Sequence, residues 1–123
     1  MTKLLLISID QTIKLYTEKY FNNPEYRLTI FNSTSEPLEV MSQVCSNNPT
    51  ILILDDDFLN PNSNRLLSSI KNANPKLSVI FITSNTSLEL GREINKIGVK
   101  SYLIKPISEN NLNEYIKSVI TQN

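Results

Sequence analysis

Histidine is absent from the 123 residues, and cysteine and glycine are scarce, with one and two copies. Without histidine, the chain has neither an imidazole acid–base catalyst nor a histidine metal ligand. Its one cysteine, Cys45, cannot form an internal disulfide, which is typical of a reducing cytoplasm. Two glycines are too few for a Gly-rich phosphate loop, and none follows the first apolar segment. We therefore expect a cytoplasmic protein without histidine-dependent chemistry.

An excess of charge of either sign is also missing, because twelve basic side chains balance twelve acidic ones. A nucleic-acid-binding domain usually carries a basic excess, so we expect no direct contact of this domain with nucleic acid. No apolar run approaches the length of a membrane span. The amino-terminal segment MTKLLLISID reaches Asp10 without a small-residue cleavage site, which disfavours a signal peptide. The composition thus indicates no membrane association.

The length predicts one domain, residues 1–123, because a second core would not fit. With 40% apolar residues the chain can bury a real core. Short runs rich in Ile, Leu and Val are typical of strands buried on both faces. Five such runs recur along the chain: Leu4 to Ile9, Arg27 to Phe31, Ile51 to Leu54, Val79 to Thr83 and Tyr102 to Ile104.

A segment with helical character lies between each run and the next, and a fifth follows the last. Apolar residues at helical spacing mark them: Ile13, Tyr16 and Tyr20; Leu38, Met41, Val44 and Cys45; Leu66, Leu67 and Ile70; Leu90, Ile94 and Ile97; Leu112, Tyr115, Ile116, Val119 and Ile120. Thr86 and Glu89 form a capping box for the fourth helix, Gly98 ends it, and Ser108 caps the fifth. Strand–helix alternation predicts an α/β domain with a parallel, doubly wound sheet.

Chemistry in such a sheet is expected beyond the carboxyl ends of the strands. The residues there are Asp10, Asp55-Asp56-Asp57, Thr83-Ser84 and Lys105-Pro106. A carboxylate can act as a nucleophile, while a cation and a hydroxyl stabilise charge on transferred oxygens. Acidic oxygens also suit a hard cation such as Mg²⁺. This combination of side chains predicts a phosphoryl site.

Three segments, PTILILDDD, SVIFITSN and GVKSYLIKPIS, resemble the receiver domains of bacterial response regulators. The resemblance covers essentially the whole chain and implies a flavodoxin-like sheet of order 2-1-3-4-5 with five helices. The family places a Pro, an apolar strand and then the phosphoacceptor aspartate, and without gaps Pro49 and Asp55 fall on these positions. A competing register selects Asp57, which stands four residues before Pro61, but it needs an insertion and a compensating deletion.

The same resemblance assigns further site residues. Thr83 matches the Thr/Ser that contacts the phosphoryl group and couples it to switching. Lys105 matches the family lysine, and Lys105-Pro106 its cis-peptide junction. Tyr102 matches the aromatic residue whose rotamer reports the active state. The spacing from Thr83 to Lys105 is also typical of the family.

Other positions depart from the family pattern. Receivers end the first strand with two acidic residues that hold Mg²⁺, whereas this chain reads Ser8-Ile9-Asp10-Gln11. In the simplest register Ser8 and Ile9 replace the acidic pair, whereas sliding the strand makes Asp10 one member and Gln11 the other. At least one metal carboxylate is missing in either register, and the expected ligand set is Asp10, Asp55 and Asp57. Leu59 and Ser63 stand where a Pro and a Gly are usual.

Structural interpretations compete with the functional ones. Asp10 is equally suited to cap the first helix. Asp56 and Asp57 are interpreted as a solvated turn, or else as compensating ligands or a source of repulsion for a phosphoryl donor. Tyr102 is as consistent with core packing as with a switch, and Cys45 is interpreted as a packing residue.

Two functional hypotheses remain open. The first is a phosphorylation-controlled switch, not an enzyme, in which a histidine kinase or phosphotransfer protein phosphorylates Asp55. Its output surface toward a downstream protein would comprise the fourth helix, fifth strand and fifth helix. The second is a pseudo-receiver that binds proteins, including a second copy of itself, without Mg²⁺-dependent phosphorylation. A small flavodoxin-like enzyme is disfavoured because no phosphate loop follows the first strand.

Overall fold

A computed structural model describes residues 1–122 of the chain and shows the predicted five-stranded parallel sheet. The strands are β1 (Thr2–Ile7), β2 (Tyr26–Phe31), β3 (Ile51–Asp55), β4 (Ser78–Thr83) and β5 (Ser101–Ile104). Their order in the sheet is β2-β1-β3-β4-β5, as expected for the doubly wound receiver arrangement. The polar strand-end residues of β1, β3, β4 and β5 therefore meet at one edge of the sheet.

Within residues 1–122, six helices connect and cover the strands: α1 (Gln11–Phe21), α2 (Pro37–Asn47), α3 (Asp56–Leu59), α4 (Ser63–Ala73), α5 (Leu88–Ile97) and α6 (Glu109–Gln122). Five of them were predicted, and the single turn α3 was not. Asp55 caps α3 by accepting a hydrogen bond from the backbone N–H of Asp57, and two acidic residues fill its first turn. Within residues 1–122 no helix is both long and apolar enough to cross a membrane.

The amino-terminal helix caps agree with the sequence prediction at two positions and differ at one. Asp10 accepts hydrogen bonds from the backbone N–H groups of Thr12 and Ile13, so it caps α1. Ser108 Oγ likewise accepts a hydrogen bond from the backbone N–H of Asn111 at the start of α6. The predicted cap Thr86 is wrong, because Ser87 accepts from Leu90 N–H at 3.1 Å and holds the extended backbone of a cap.

Two apolar layers enclose the sheet. Helices α1 and α6 cover one face through residues such as Phe21 and Ile116, and α2, α4 and α5 cover the other. Strands β3 and β4 are buried throughout, which explains their nearly continuous apolar sequences. The interpretation of Cys45 as a packing residue is wrong, since it is exposed. Val40 and Val44 supply the inner face of α2, and the next residue along a helix turns away from it.

Candidate functional site

Asp55 lies at the centre of the sheet edge where the carboxyl ends of the strands meet. It is the last residue of β3, between β1 and β4, and is only 1% exposed. One carboxylate oxygen, Oδ2, accepts hydrogen bonds from Ser8 Oγ at 2.6 Å and from Lys105 Nζ at 3.0 Å. The other, Oδ1, accepts from the backbone N–H of Asp57 at 3.1 Å. This buried carboxylate is therefore fully hydrogen-bonded, as burial of a charge requires.

The ammonium group of Lys105 joins three carboxylates. Besides Asp55, it contacts Asp10 Oδ2 at 2.9 Å and Asp57 Oδ2 at 3.0 Å. Burial alone lowers the pKa of Lys105, but the hydrogen bonds that it donates to the three aspartates outweigh burial and hold that pKa well above its ordinary value. Lys105 is therefore fully charged at physiological pH and is the positive centre of the site.

The three aspartates have no oxygen left without a partner. The second oxygen of Asp10 caps α1, and that of Asp57 accepts from Ser84 N–H at 3.2 Å and Ser84 Oγ at 2.8 Å. Three carboxylates and one ammonium give the cluster a formal charge of minus two. Lys105 and neutral donors thus share the stabilisation of this negative charge.

The predicted metal ligands Asp10, Asp55 and Asp57 do come together, but around Lys105. Receiver domains typically bind Mg²⁺ at their acidic pocket, which requires carboxylate oxygens free to coordinate. Among residues 1–122 no group of three acidic side chains is arranged to hold a metal ion. Ser8, the residue that follows β1, donates a hydrogen bond to Asp55 and offers no carboxylate of its own. As arranged, with a donor on each carboxylate oxygen and a hydroxyl rather than a carboxylate at Ser8, these residues do not fit Mg²⁺.

The acid side of the stability profile should depend on Asp10 and Asp57. Burial raises both carboxyl pKa values, but hydrogen bonds from Lys105 and, for Asp57, from Ser84 lower them further, and the net pKa lies below the ordinary value of 3.8. Carboxylates with a lowered folded pKa stabilise the protein above the unfolded pKa of about 4, and this contribution is lost as pH falls through the folded pKa. The contribution of Lys105, whose pKa is raised, is complete below about pH 10.

We therefore expect the free energy of unfolding to be flat from about pH 4 to about pH 10 with respect to these groups, and to fall below about pH 4. Urea unfolding at a series of pH values measures this. Asp10→Asn and Asp57→Asn should each reduce the slope below pH 4. An unchanged slope in both variants would contradict the assigned pairing with Lys105.

Asp56 takes part in a separate, buried hydrogen-bond network that sequence reasoning missed. Its side chain is 5% exposed, contrary to the interpretation as a solvated turn. Asp56 Oδ1 accepts from Ser63 Oγ at 2.6 Å, and Oδ2 accepts from Thr83 Oγ1 at 2.7 Å. Three consecutive aspartates carried no signal that separates the buried one, because its partners come from α4 and β4.

Tyr102 lies in β5 next to Thr83's strand and packs on the core. Its ring stacks on Phe81 with centroids 5.6 Å apart, and within residues 1–122 its buried hydroxyl has no hydrogen-bond partner. Burial, followed by the charge of Asp56, raises the pKa of this hydroxyl. The X–Pro peptide bonds Lys105–Pro106 and Asn60–Pro61 are both cis.

Comparisons with known proteins support a family assignment. The response regulator receiver domain model matches residues 4–117. A CheY-like receiver domain protein from Methanospirillum hungatei JF-1 superposes with a TM-score of 0.83 at 20% identity, covering 99% of this chain and 95% of that one. A two-component response regulator from Clostridium difficile gives 0.82 at 17% identity, covering 99% and 98%. No curated protein matches the sequence.

A third structure, the signal receiver domain of a modulated diguanylate cyclase from Desulfovibrio desulfuricans G20, has a TM-score of 0.77 at 19% identity, with 99% and 95% coverage. At these identities the structures establish the fold, whereas the sequence match spans nearly the whole chain and establishes the family. Receiver domains are generally signalling modules that interact with histidine kinases or phosphotransfer proteins. The chain belongs to the response regulator receiver domain family of two-component systems.

Proposed function

We propose that this receiver domain accepts a phosphoryl group on Asp55 and thereby switches a protein-binding surface. The observation that carries the proposal is the contact of 3.0 Å between Asp55 Oδ2 and Lys105 Nζ at the carboxyl edge of the sheet. It pairs a nucleophilic carboxylate with a fixed positive charge at the position where phosphoryl oxygens would gather. Asp57, the acceptor in the competing register, lies in α3, is exposed, and accepts a hydrogen bond from Ser84 Oγ.

In the proposed reaction, a carboxylate oxygen of Asp55 forms a bond to phosphorus while the bond between phosphorus and the donor's leaving group breaks. The leaving group keeps that electron pair, and the product is an acyl phosphate. The Lys105 ammonium stabilises charge on the transferred oxygens. Since Asp55 is only 1% exposed, a donor reaches it after local movement of the residues that cover it. A histidine kinase or phosphotransfer protein is the expected biological donor.

The test of this function is incubation with acetyl phosphate followed by intact mass measurement. Wild type should gain the mass of one phosphoryl group, Asp55→Asn should gain none, and Asp57→Asn should still be labelled. Parallel reactions with Mg²⁺ and with a chelator establish whether a divalent cation is needed. Labelling of Asp55→Asn together with no labelling of Asp57→Asn would select the competing acceptor.

The output surface in this proposal is the face formed by α5, β5 and α6, which are the predicted fourth helix, fifth strand and fifth helix. Large apolar side chains are exposed there, with Leu88 76%, Ile104 45% and Tyr115 45% exposed. A groove lined by Gly91, Tyr102 and Ile104 runs along α5. Such an apolar patch is typical of a protein-interaction surface. Its rearrangement would follow from movement of Thr83 and Tyr102.

A second candidate, the pseudo-receiver, is favoured by one observation. Ser8 and Lys105 already satisfy the buried Asp55, so the site is stable without a metal ion or a phosphoryl group. In this alternative the domain binds a partner or a second copy of itself in a single conformation. No acetyl phosphate labelling of folded wild type, with an ordinary receiver labelled in parallel, would favour this candidate.

A further inference from the structure

The hydroxyl of Thr83 is committed to a carboxylate other than Asp55. Thr83 is fully buried, and its Oγ1 lies 2.7 Å from Asp56 Oδ2. The same oxygen accepts a hydrogen bond from the backbone N–H of Asn85 at 3.0 Å, which further restrains the side chain. A hydroxyl has one proton to donate. While Thr83 donates that proton in its hydrogen bond to Asp56, it cannot donate it to an oxygen on Asp55.

The hydrogen bond from Thr83 to Asp56 has the features of a strong hydrogen bond. Its acceptor is a charged group when ionised, its length is 2.7 Å, and both residues are buried. Charge-assisted hydrogen bonds away from water are shorter and stronger than neutral ones. Ser63 Oγ, in α4, donates a hydrogen bond of 2.6 Å to the other oxygen of Asp56 and so restrains the carboxylate.

We propose that Asp56 is a positioning residue that holds the Thr83 hydroxyl away from the phosphoryl position on Asp55. This inference rests on the proposed function, since it concerns how a phosphoryl group on Asp55 would recruit Thr83. Recruitment must break the bond to Asp56, which opposes switching. The hydrogen bond that Asp56 accepts from Thr83 thereby adds to the free energy that phosphorylation of Asp55 has to supply for switching.

Tyr102 connects this restraint to the interaction face. Its buried hydroxyl has no hydrogen-bond partner within residues 1–122, and the charge of Asp56 contributes to the raised pKa of that hydroxyl. Its ring stacks on Phe81 of β4, two residues before Thr83. A change in the Thr83–Asp56 pair therefore alters the surroundings of Tyr102, which also lines the groove along α5.

A double-mutant cycle tests the proposal through Thr83 itself. At an acetyl phosphate concentration that labels a minor fraction of wild type, Asp56→Ala should raise the ratio of phosphorylated to unphosphorylated protein by about tenfold, since one charge-assisted hydrogen bond no longer competes. Thr83→Val keeps the side-chain shape but has no hydroxyl. In that background Asp56→Ala should have no further effect. A gain that persists without the Thr83 hydroxyl would overturn the proposal and assign the effect to the Asp56 charge alone.

Ser63→Ala is the matched control, because it removes the other hydrogen bond of the same carboxylate and leaves Thr83 bound. Ser63→Ala should leave the labelling ratio near that of wild type. A gain equal to that of Asp56→Ala would overturn the proposal, because it would assign the effect to general loosening around Asp56 and not to release of Thr83. If Asp56→Ala does not fold, Asp56→Asn keeps the side-chain volume and should give a smaller gain of the same sign.

Amide hydrogen exchange separates failure of this inference from failure of the proposed function. In unphosphorylated protein, the amide of Asn85 should exchange faster in Asp56→Ala than in Ser63→Ala, since a released Thr83 no longer accepts that N–H. Equal exchange in the two variants would overturn the restraint. Faster exchange with no acetyl phosphate labelling in any variant would retain the restraint and reject phosphorylation of Asp55.

Discussion

Lys105→Met is expected to lower the free energy of unfolding by about 3 kcal/mol at neutral pH, the cost of leaving a buried charge without its partner. The variant keeps the length of the side chain but removes the charge that faces Asp10, Asp55 and Asp57. Asp55, at 1% exposure, then depends on Ser8 and one backbone N–H. Urea unfolding at neutral pH and low ionic strength measures the loss.

Lys19→Met is the matched control. Lys19 forms an exposed ion pair with Glu109 at 3.3 Å, and such pairs contribute about 0–1 kcal/mol. Part of the loss in Lys105→Met should also be recovered when Asp55→Asn is added, since the unpaired charge is then gone. Equal losses in the Lys105 and Lys19 variants would contradict the central place of the ammonium in the cluster.

Ser8→Asp should convert the pocket into one that binds Mg²⁺. Ser8 Oγ lies 2.6 Å from Asp55 Oδ2, so the introduced carboxylate would face an existing one in a buried position. Without a divalent cation this repulsion should destabilise the protein. With Mg²⁺ at about 100 times its dissociation constant, binding should raise the free energy of unfolding by about 2.7 kcal/mol. Thermal unfolding with and without Mg²⁺ gives the difference.

Ser8→Asn is the size-matched control for this variant and adds no charge. Its midpoint of thermal unfolding should be as insensitive to Mg²⁺ as that of wild type, within the small general effect of salt. If wild type already gained as much from Mg²⁺ as Ser8→Asp, the existing aspartates would bind the ion after release of Lys105. That result would contradict our interpretation that the hydroxyl of Ser8, in place of a carboxylate, keeps Mg²⁺ from binding.

Most of the fold could be predicted from the sequence because parallel strands buried on both faces leave continuous apolar runs. The run predicted as Val79 to Thr83 is β4, Ser78–Thr83, and the run Arg27 to Phe31 is β2, Tyr26–Phe31. The single turn α3 is too short for a periodic pattern, and it forms because Asp55 caps it. Thr86 and Ser87 are both suitable cap residues by type, although Ser is the better one, and Ser87 has the extended backbone of a cap.

The site could be predicted only as a set of residues at strand ends. Sheet topology brings Asp10, Asp55 and Lys105 together, and the resemblance to receivers named the same positions. That one ammonium contacts three carboxylates is a matter of distances that no spacing in the sequence encodes. The same holds for the bond between Asp56 and Thr83, which joins residues 27 positions apart.

The central claim, phosphoryl transfer to Asp55, is tested most directly by locating the modified residue. After incubation with acetyl phosphate, borohydride reduces an aspartyl phosphate to homoserine, and fragment masses of the digested protein then identify the position. We predict homoserine at position 55 and unmodified aspartate at positions 56 and 57. Homoserine at position 57, or none at any of the three positions in a folded protein, would contradict the account.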